Sequence, residues 1–294
     1  MQHSSWTPLA EHVGGNDAIG GEVTESPVGL IAARGLLPVE IAAGARRLGR
    51  QVVSVNIYDA DPRLPEVSDA YYTVKFGELG AIMAALRRHG VREVLLAGKV
   101  EKLSVLQTTR FDADAQQVAR RSADFRDASI LTGLITVLED AGFEVGSQTR
   151  YIGHLVPGNG ILGRRAPSPE EEQDIRLGAR IAAGVAGLDV GQSVAVQGGV
   201  VVAVEAAEGT DAMIRRAGNL AAGVVVVKVS RPRQDPRYDL PVVGPQTVDA
   251  IIAARGTALA VEADRTILLE RARLIASADA AGIAVAAIRL PSLQ

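Results

Sequence analysis

Short aliphatic runs recur along the chain, and most are followed by a stretch in which apolar residues fall every three or four positions. Val28 to Ala32 (VGLIA) reads as a buried strand; Ala33, Arg34 and Gly35 make a turn, and Pro38 suits the first turn of a helix through Gly44 to Leu48. Gln51 to Ile57 and Ala70 to Val74 read as strands, and Glu78 to His89 as a helix that Gly90 ends. Val91 to Val100 holds the next strand, VLLAG, and Phe125 to Ala141 an amphipathic helix with Ile130, Leu131, Leu134, Ile135 and Leu138 at helical spacing.

The periodicity breaks over Tyr151 to Arg165, a glycine-rich stretch that reads as a linker. Ser168, Pro169 and Glu171 then form a capping-box start for a helix to about Val185. Val194 to Val196 and Val200 to Glu205 flank Gly198-Gly199 as a hairpin. Helices follow at Asp211 to Leu220, Gln246 to Ala254 and Leu269 to Ala281, alternating with strands at Val224 to Val229, Ala258 to Val261 and Ile283 to Ile288. This alternation predicts an α/β fold of two α/β domains joined by a short linker: an N-terminal Rossmann-like parallel sheet and a C-terminal mixed α/β domain. The expected boundaries are a disordered tail over 1–26, a first domain over 27–150, the linker over 151–167 and a catalytic domain over 168–294. The cleft between two such domains is the default place for a ligand.

Composition narrows the picture. The 294 residues are 47% hydrophobic but only 3% aromatic, so Val, Ala, Leu and Ile must build the core. With no cysteine, disulfides and thiolate metal sites are excluded and a reducing, cytoplasmic setting is compatible. A net charge of −3 argues against a nucleic-acid partner. No apolar run reaches the ~18 residues of a membrane span, and the first residues lack the regions of a signal peptide.

Several polar groups interrupt this aliphatic background. Lys99, in LLAGKVEK, follows a strand and a glycine; it is either a ligand contact at the carboxyl edge of the sheet or a solvated strand end. In AVEAAEGTD, Glu205 and Glu208 close a strand, Gly209 turns the chain and Thr210 or Asp211 caps the next helix. Capping leaves Glu205 unexplained, since a buried carboxylate at the end of a Val-rich strand needs a partner. Lys228 interrupts VVVVKV as either an edge gatekeeper or a charge aimed into a site.

The densest segment is QDPRYDLPVVGP, Gln234 to Pro245. Pro236 and Pro241 disfavour a regular helix, and in an irregular loop Asp235 and Asp239 can converge on one divalent ion. Hard oxygen ligands suit Mg2+, which also takes phosphate oxygens, and Arg237 suits a phosphate. The plain structural alternative is a salt-bridged loop, Asp235 or Asp239 with Arg231 or Arg233. Gly29 and Gly35 with Arg34 between them match a dinucleotide fingerprint poorly, which counts against an NAD-dependent oxidoreductase. The four His residues show no ligand spacing, and no GxSxG elbow or Walker loop is present.

Taken with GLIAARGLLPVEIA, LLAGKV, ITVLEDAGFEV and LDVGQSVAVQGG, the runs EAAEGTD and QDPRYDLPVVGPQTV resemble one family. It is the UDP-2,3-diacylglucosamine pyrophosphatase family of lipid A synthesis, in its form unrelated to the metallophosphoesterases. The resemblance runs from about Gly29 to Ile288. It implies a Mg2+-dependent hydrolase, Mg2+ being replaceable by another divalent ion, that cleaves UDP-2,3-diacylglucosamine to UMP and 2,3-diacylglucosamine 1-phosphate. It also implies two α/β domains with the lipid product between them. The family's active-site Asp falls within QDPRYDLP, which puts Asp235 first and Asp239 second. In one departure, Ala33-Arg34 stands where the family carries a Gly pair.

On this footing the expected metal ligands are Asp235, Asp239, Glu205 and Glu208, with Lys228 and Arg237 offsetting phosphate charge. Gly209, Thr210 and Asp211 shape the helix start facing the anion, and Lys99 and Gln234 complete the substrate contacts. A non-catalytic nucleotide-sugar or lipid carrier is the competing class. A transient visit to the inner-membrane surface through the lipid substrate, and a homodimer, are both compatible with the sequence.

Overall fold

The structure is a computed structural model that describes residues 26–100, 111–122, 127–232, 235 and 237–290. The expected tail over residues 1–26, apart from Ser26, the start of the Phe125 helix and the Gln234 assignment lie outside the described residues. The chain divides into two compact units, Met1–Gly146 and Ser147–Gln294.

In the first unit, strands β1 (Val28–Ala32), β2 (Val52–Asn56), β3 (Ala70–Thr73), β4 (Glu93–Ala97) and β5 (Glu144–Val145) form one sheet in the order β3-β2-β1-β4-β5. Every pairing is parallel. Helices α1 (Leu37–Arg47), α2 (Leu79–Arg88), α3 (Ala113–Arg121) and α4 (Asp127–Asp140) accompany it. Val28, Leu30, Val55, Val94 and Leu95 are essentially fully buried, as expected of parallel strands covered on both faces.

The first sheet reverses its order between β1 and β4, and the loops leaving these two strands meet there. Lys99 N donates to Arg34 O at 2.9 Å. Gly98, at φ +99°, lies so close to the Ala33 backbone that a Cβ would sit 2.5 Å from its oxygen, so only glycine fits.

In the second unit, the glycine-rich stretch read as a linker is ordered. Helix α5 (Thr149–Ile152) opens it, and β6 (Gly160–Ile161) pairs antiparallel with β13 (Ala284–Ile288). Helix α6 (Pro169–Gly187) begins with the expected capping box, with Ser168 and Glu171 satisfying each other's backbone. The remaining strands are β7 (Ser193–Gln197), β8 (Val200–Val204), β9 (Val225–Lys228), β10 (Val242–Val243), β11 (Ala258–Glu262) and β12 (Ile267–Leu268). The remaining helices are α7 (Thr210–Leu220), α8 (Pro245–Ala253) and α9 (Arg271–Ala280).

The main sheet runs β6-β13-β11-β9-β7-β8, and β10 and β12 make a small parallel pair. Only β13, β11 and β9 are mutually parallel; β6, β7 and β8 run antiparallel to their neighbours, so the sheet is mixed. Alternation along β9 explains its unbroken valines. Val224 and Val226 pack with Met213, Ile214 and Ile251 from α7 and α8, while Val225, Val227 and Val229 pack with Ile175, Ala179 and Ala182 from α6. Burying each such side chain contributes roughly 1.5–3 kcal/mol. A polar side chain on this strand must therefore find its partners at the strand's end.

Candidate functional site

That end is Lys228, the last residue of β9 and only 9% exposed. Its Nζ donates to Thr210 Oγ1 at 3.0 Å and to Val242 O at 3.0 Å. Thr210 starts α7, and Gly209 before it turns the chain at φ +82°, a conformation that glycine adopts without penalty. The Thr210 hydroxyl accepts from Lys228 and gives its own proton to Glu205 Oε1 at 3.0 Å, which uses its single donor and one of its two lone pairs. Fully buried Ser193 places its Oγ 3.3 Å from the same Thr210 oxygen. Glu205 Oε2 accepts the Gln192 amide at 3.1 Å. An ammonium and a carboxylate are thus joined through one threonine, drawing on β7, β8, α7 and β9.

Asp211, next on α7, accepts from Thr247 Oγ1 of α8 at 2.9 Å, tying the starts of two helices together. Glu208 goes elsewhere: its carboxylate pairs with Arg216 at 2.6 Å on an exposed edge, and that hydrogen bond holds its carboxyl below the ordinary value. The sequence put Glu205 and Glu208 in one ligand set, whereas the fold gives them different partners.

The Asp235 loop closes on itself. Arg237 donates to Asp235 through its backbone N at 2.9 Å and through Nε and Nη2 at 3.1 and 2.8 Å. The Arg237 fork holds the Asp235 carboxyl below its ordinary value against the opposing effect of burial. Burial, and then the Asp235 charge, push the Tyr238 phenol up. Asp239 N donates to Asp235 O at 3.0 Å, so one turn carries both aspartates. The salt-bridge partner of Asp235 is Arg237, while Arg231 pairs with Asp189 at 2.9 Å.

Two contacts tie this turn into the fold. Gln148, 1% exposed, donates its backbone N to Arg237 O at 2.8 Å and its side-chain Nε2 to Tyr238 O at 3.1 Å. Lys228 holds Val242, just beyond Asp239 in the chain. Gln148 and Ser193 were missed in the sequence, because an isolated Gln or Ser carries no local signal of a partner that is distant in the chain.

Among the described residues, no group of three or more His, Cys, Asp or Glu side chains is gathered for a metal ion. Mg2+ does not require one: it binds through one or two carboxylates and takes phosphate oxygens and water for the rest. Asp235 and Asp239 on one turn, with Asp235 kept ionised, fit that demand. Glu205 accepts from Thr210 and Gln192 through its two oxygens and Glu208 from Arg216 through Oε1, just as Asp235 accepts from Arg237 through both of its own.

Lys99 belongs to the first unit, where it is exposed and makes no ion pair among the described residues. Its neighbour Arg34 pairs with Asp59 at 2.8 Å and lies over the Tyr58 ring.

Comparison with known proteins gives a consistent result. The N-terminal domain of LpxI matches residues 27–155 and the C-terminal domain of LpxI matches residues 158–286. A relative named UDP-2,3-diacylglucosamine pyrophosphatase LpxI, from Caulobacter vibrioides, is 33% identical over 270 residues, covering 88% of this chain and 96% of that protein. Among solved structures, a UDP-glucose-4-epimerase from Stenotrophomonas maltophila superposes with a TM-score of 0.26 at 16% identity, over 49% of this chain and 41% of that one. An N5-carboxyaminoimidazole ribonucleotide synthetase from Thermotoga maritima gives a TM-score of 0.23 at 13% identity, over 63% and 42% of the two chains. Likenesses this slight carry no argument about fold or function.

Proposed function

The chain belongs to the LpxI family, and from that premise we propose that it hydrolyses the pyrophosphate bond of UDP-2,3-diacylglucosamine, giving UMP and 2,3-diacylglucosamine 1-phosphate in lipid A biosynthesis. The observation that carries this reading is the 33% identity to a pyrophosphatase of that name over 96% of its length. The site geometry supports it.

Hydrolysis at a pyrophosphate needs a water placed in line with the leaving oxygen and cations beside the phosphoryl oxygens. Lys228 supplies one ammonium, oriented by Thr210 and by the Val242 carbonyl. Arg237 supplies a guanidinium fork suited to phosphate once it is shared between Asp235 and substrate. Asp235, ionised at neutral pH, orients the attacking water or holds the metal. When bound, Mg2+ supplies charge neutralisation at the pyrophosphate oxygens, and Asp235 and Asp239 are the residues that would hold it. Glu205 acts through Thr210, fixing the hydroxyl so that its lone pair faces Lys228. Lys99 and Gln234 remain in this reading as substrate contacts.

No described helix is long and apolar enough to cross a membrane. We place the protein in the cytoplasm, touching the inner-membrane surface through the acyl chains of its substrate; a homodimer is compatible with the same reading. The test is release of UMP from UDP-2,3-diacylglucosamine by the purified protein with Mg2+ and then with EDTA, for wild type and Asp235→Asn. Metal-dependent release, lowered on the order of a hundredfold by the substitution, is expected. Wild-type turnover by Asp235→Asn would remove Asp235 from the mechanism.

A further inference from the structure

The turn that carries Asp235 and Asp239 cannot complete itself. Asp235 O accepts Tyr238 N at 3.3 Å and Asp239 N at 3.0 Å, which makes a single helical turn. In a continuing helix each later carbonyl accepts from the residue four positions on. For Arg237 that residue is Pro241, which has no N–H, and for Tyr238 it is Val242, which has already entered β10. Carbonyls left over at the end of a helical turn need donors from elsewhere.

Gln148 supplies both. Its backbone N donates to Arg237 O at 2.8 Å, in the place of the N–H that Pro241 lacks, and its Nε2 donates to Tyr238 O at 3.1 Å. Gln148 is itself firmly held. It is only 1% exposed, and its carbonyl accepts from Tyr151 and Ile152, two buried residues of α5. A support packed into the core in this way fixes what it holds more precisely than a loop does. What it holds is the peptide of Arg237, whose backbone N, Nε and Nη2 grip the Asp235 carboxylate. Holding Arg237 from one side therefore sets the direction of the carboxylate on the other.

We infer that Gln148 is a positioning residue for Asp235: it caps the turn and aims the carboxylate without touching substrate. This rests on the role given to Asp235 above. Misplacing a reacting group by about 1 Å costs on the order of a hundredfold in rate, so a cap on this turn bears on turnover as well as on stability.

The experiment compares Gln148→Met, which keeps the length and apolar stem of the side chain, with Gln148→Glu, which keeps its shape; both lose the Nε2 donor and retain the backbone donor. Asp174→Asn is the control. Asp174 is also buried and holds two backbone amides, those of Gly198 and Gly199, at the far end of β7 from Ser193. Two quantities are read in each protein. One is hydrogen exchange, in the metal-free protein, at the amides of Arg237, Tyr238 and Asp239, all three of which are bonded within the turn. The other is kcat and KM for UMP release. Both Gln148 variants should exchange roughly tenfold faster at the turn, the net worth of one hydrogen bond. Their kcat should fall roughly tenfold with KM within about twofold of wild type. Asp174→Asn should lower the melting temperature and leave the turn's exchange and kcat unchanged.

The inference is overturned if the Gln148 variants keep wild-type kcat, if kcat falls without faster exchange at the turn, or if Asp174→Asn has the same two effects. An inactive Asp235→Asn beside fully active Gln148 variants removes this inference alone. No turnover by wild type, or wild-type turnover by Asp235→Asn, removes the hydrolytic role of Asp235 and this inference with it.

Discussion

Two lysines stand at the ends of aliphatic strands, and the fold treats them differently. Lys99 follows β4, stays exposed and makes no ion pair among the described residues, and only its backbone is engaged, through Arg34. Lys228 ends β9 at 9% exposure and bonds Thr210 and Val242. Both arise from the same local pattern, VLLAGK and VVVVK. The difference comes from what covers the strand end. The start of α7 and the strand β10 close over Lys228, and removing an ammonium from water costs enough that each remaining donor must be satisfied. A buried, hydrogen-bonded lysine is held in one place, and a group that must meet a phosphoryl oxygen benefits from being held there.

This contrast can be broken most directly at Lys228. Lys228→Met is expected to reduce kcat by on the order of 10²–10³-fold, because it removes a preorganised cation and leaves Thr210 and Glu205 facing an apolar chain. Thr210→Val should produce a smaller loss, roughly tenfold, with KM little changed. Equal losses in kcat and in folding stability for Lys228→Met would make the lysine a structural element.

A middle-sized effect is expected at Arg237. Its fork lowers the Asp235 carboxyl below the ordinary 3.8. A carboxyl lowered in the folded state stabilises the protein above its unfolded pKa, and that contribution is lost as pH falls through the folded value. Wild type should therefore show no acid limb from Asp235 above about pH 4 in kcat/KM. Arg237→Ala should move that limb upward toward the ordinary carboxylate value while lowering the plateau roughly tenfold. An acid limb that stays put in Arg237→Ala would uncouple the two residues. Lys99→Met should give the smallest effect, a change of about twofold in kcat/KM and a melting temperature near wild type, as for exposed substitutions generally. A loss comparable to that of Lys228→Met would make Lys99 an essential ligand and erase the distinction between the two lysines.

Much of the fold was legible along the chain. The strands at Val28, Val52, Ala70, Val225, Ala258 and Ala284, and the capping box at Ser168, follow from aliphatic runs and turn residues whose geometry is set within a few positions. The hairpin around Gly198-Gly199 is there as expected, but Asp174 of α6 fastens its turn, accepting both glycine amides at 2.8 and 2.7 Å. Two-residue strands such as Gly160–Ile161, Val242–Val243 and Ile267–Leu268 carry no periodicity to read, because pairing with a distant partner is all that defines them.

The sequence by itself determined an aliphatic α/β chain, the order of its main elements, the family it belongs to and the residue types available for phosphate chemistry. Only the tertiary structure decided which of those charges meet. Glu205 and Glu208 lie three positions apart, yet one reaches Thr210 and the other Arg216. Asp235 is held by its near neighbour Arg237, while the turn that carries both is clamped by Gln148 from the far end of the unit. The reason is physical. Backbone preference and hydrophobic periodicity act over a few residues, whereas a buried polar group is stabilised by whichever partners folding brings within hydrogen-bond distance, wherever they stand in the chain.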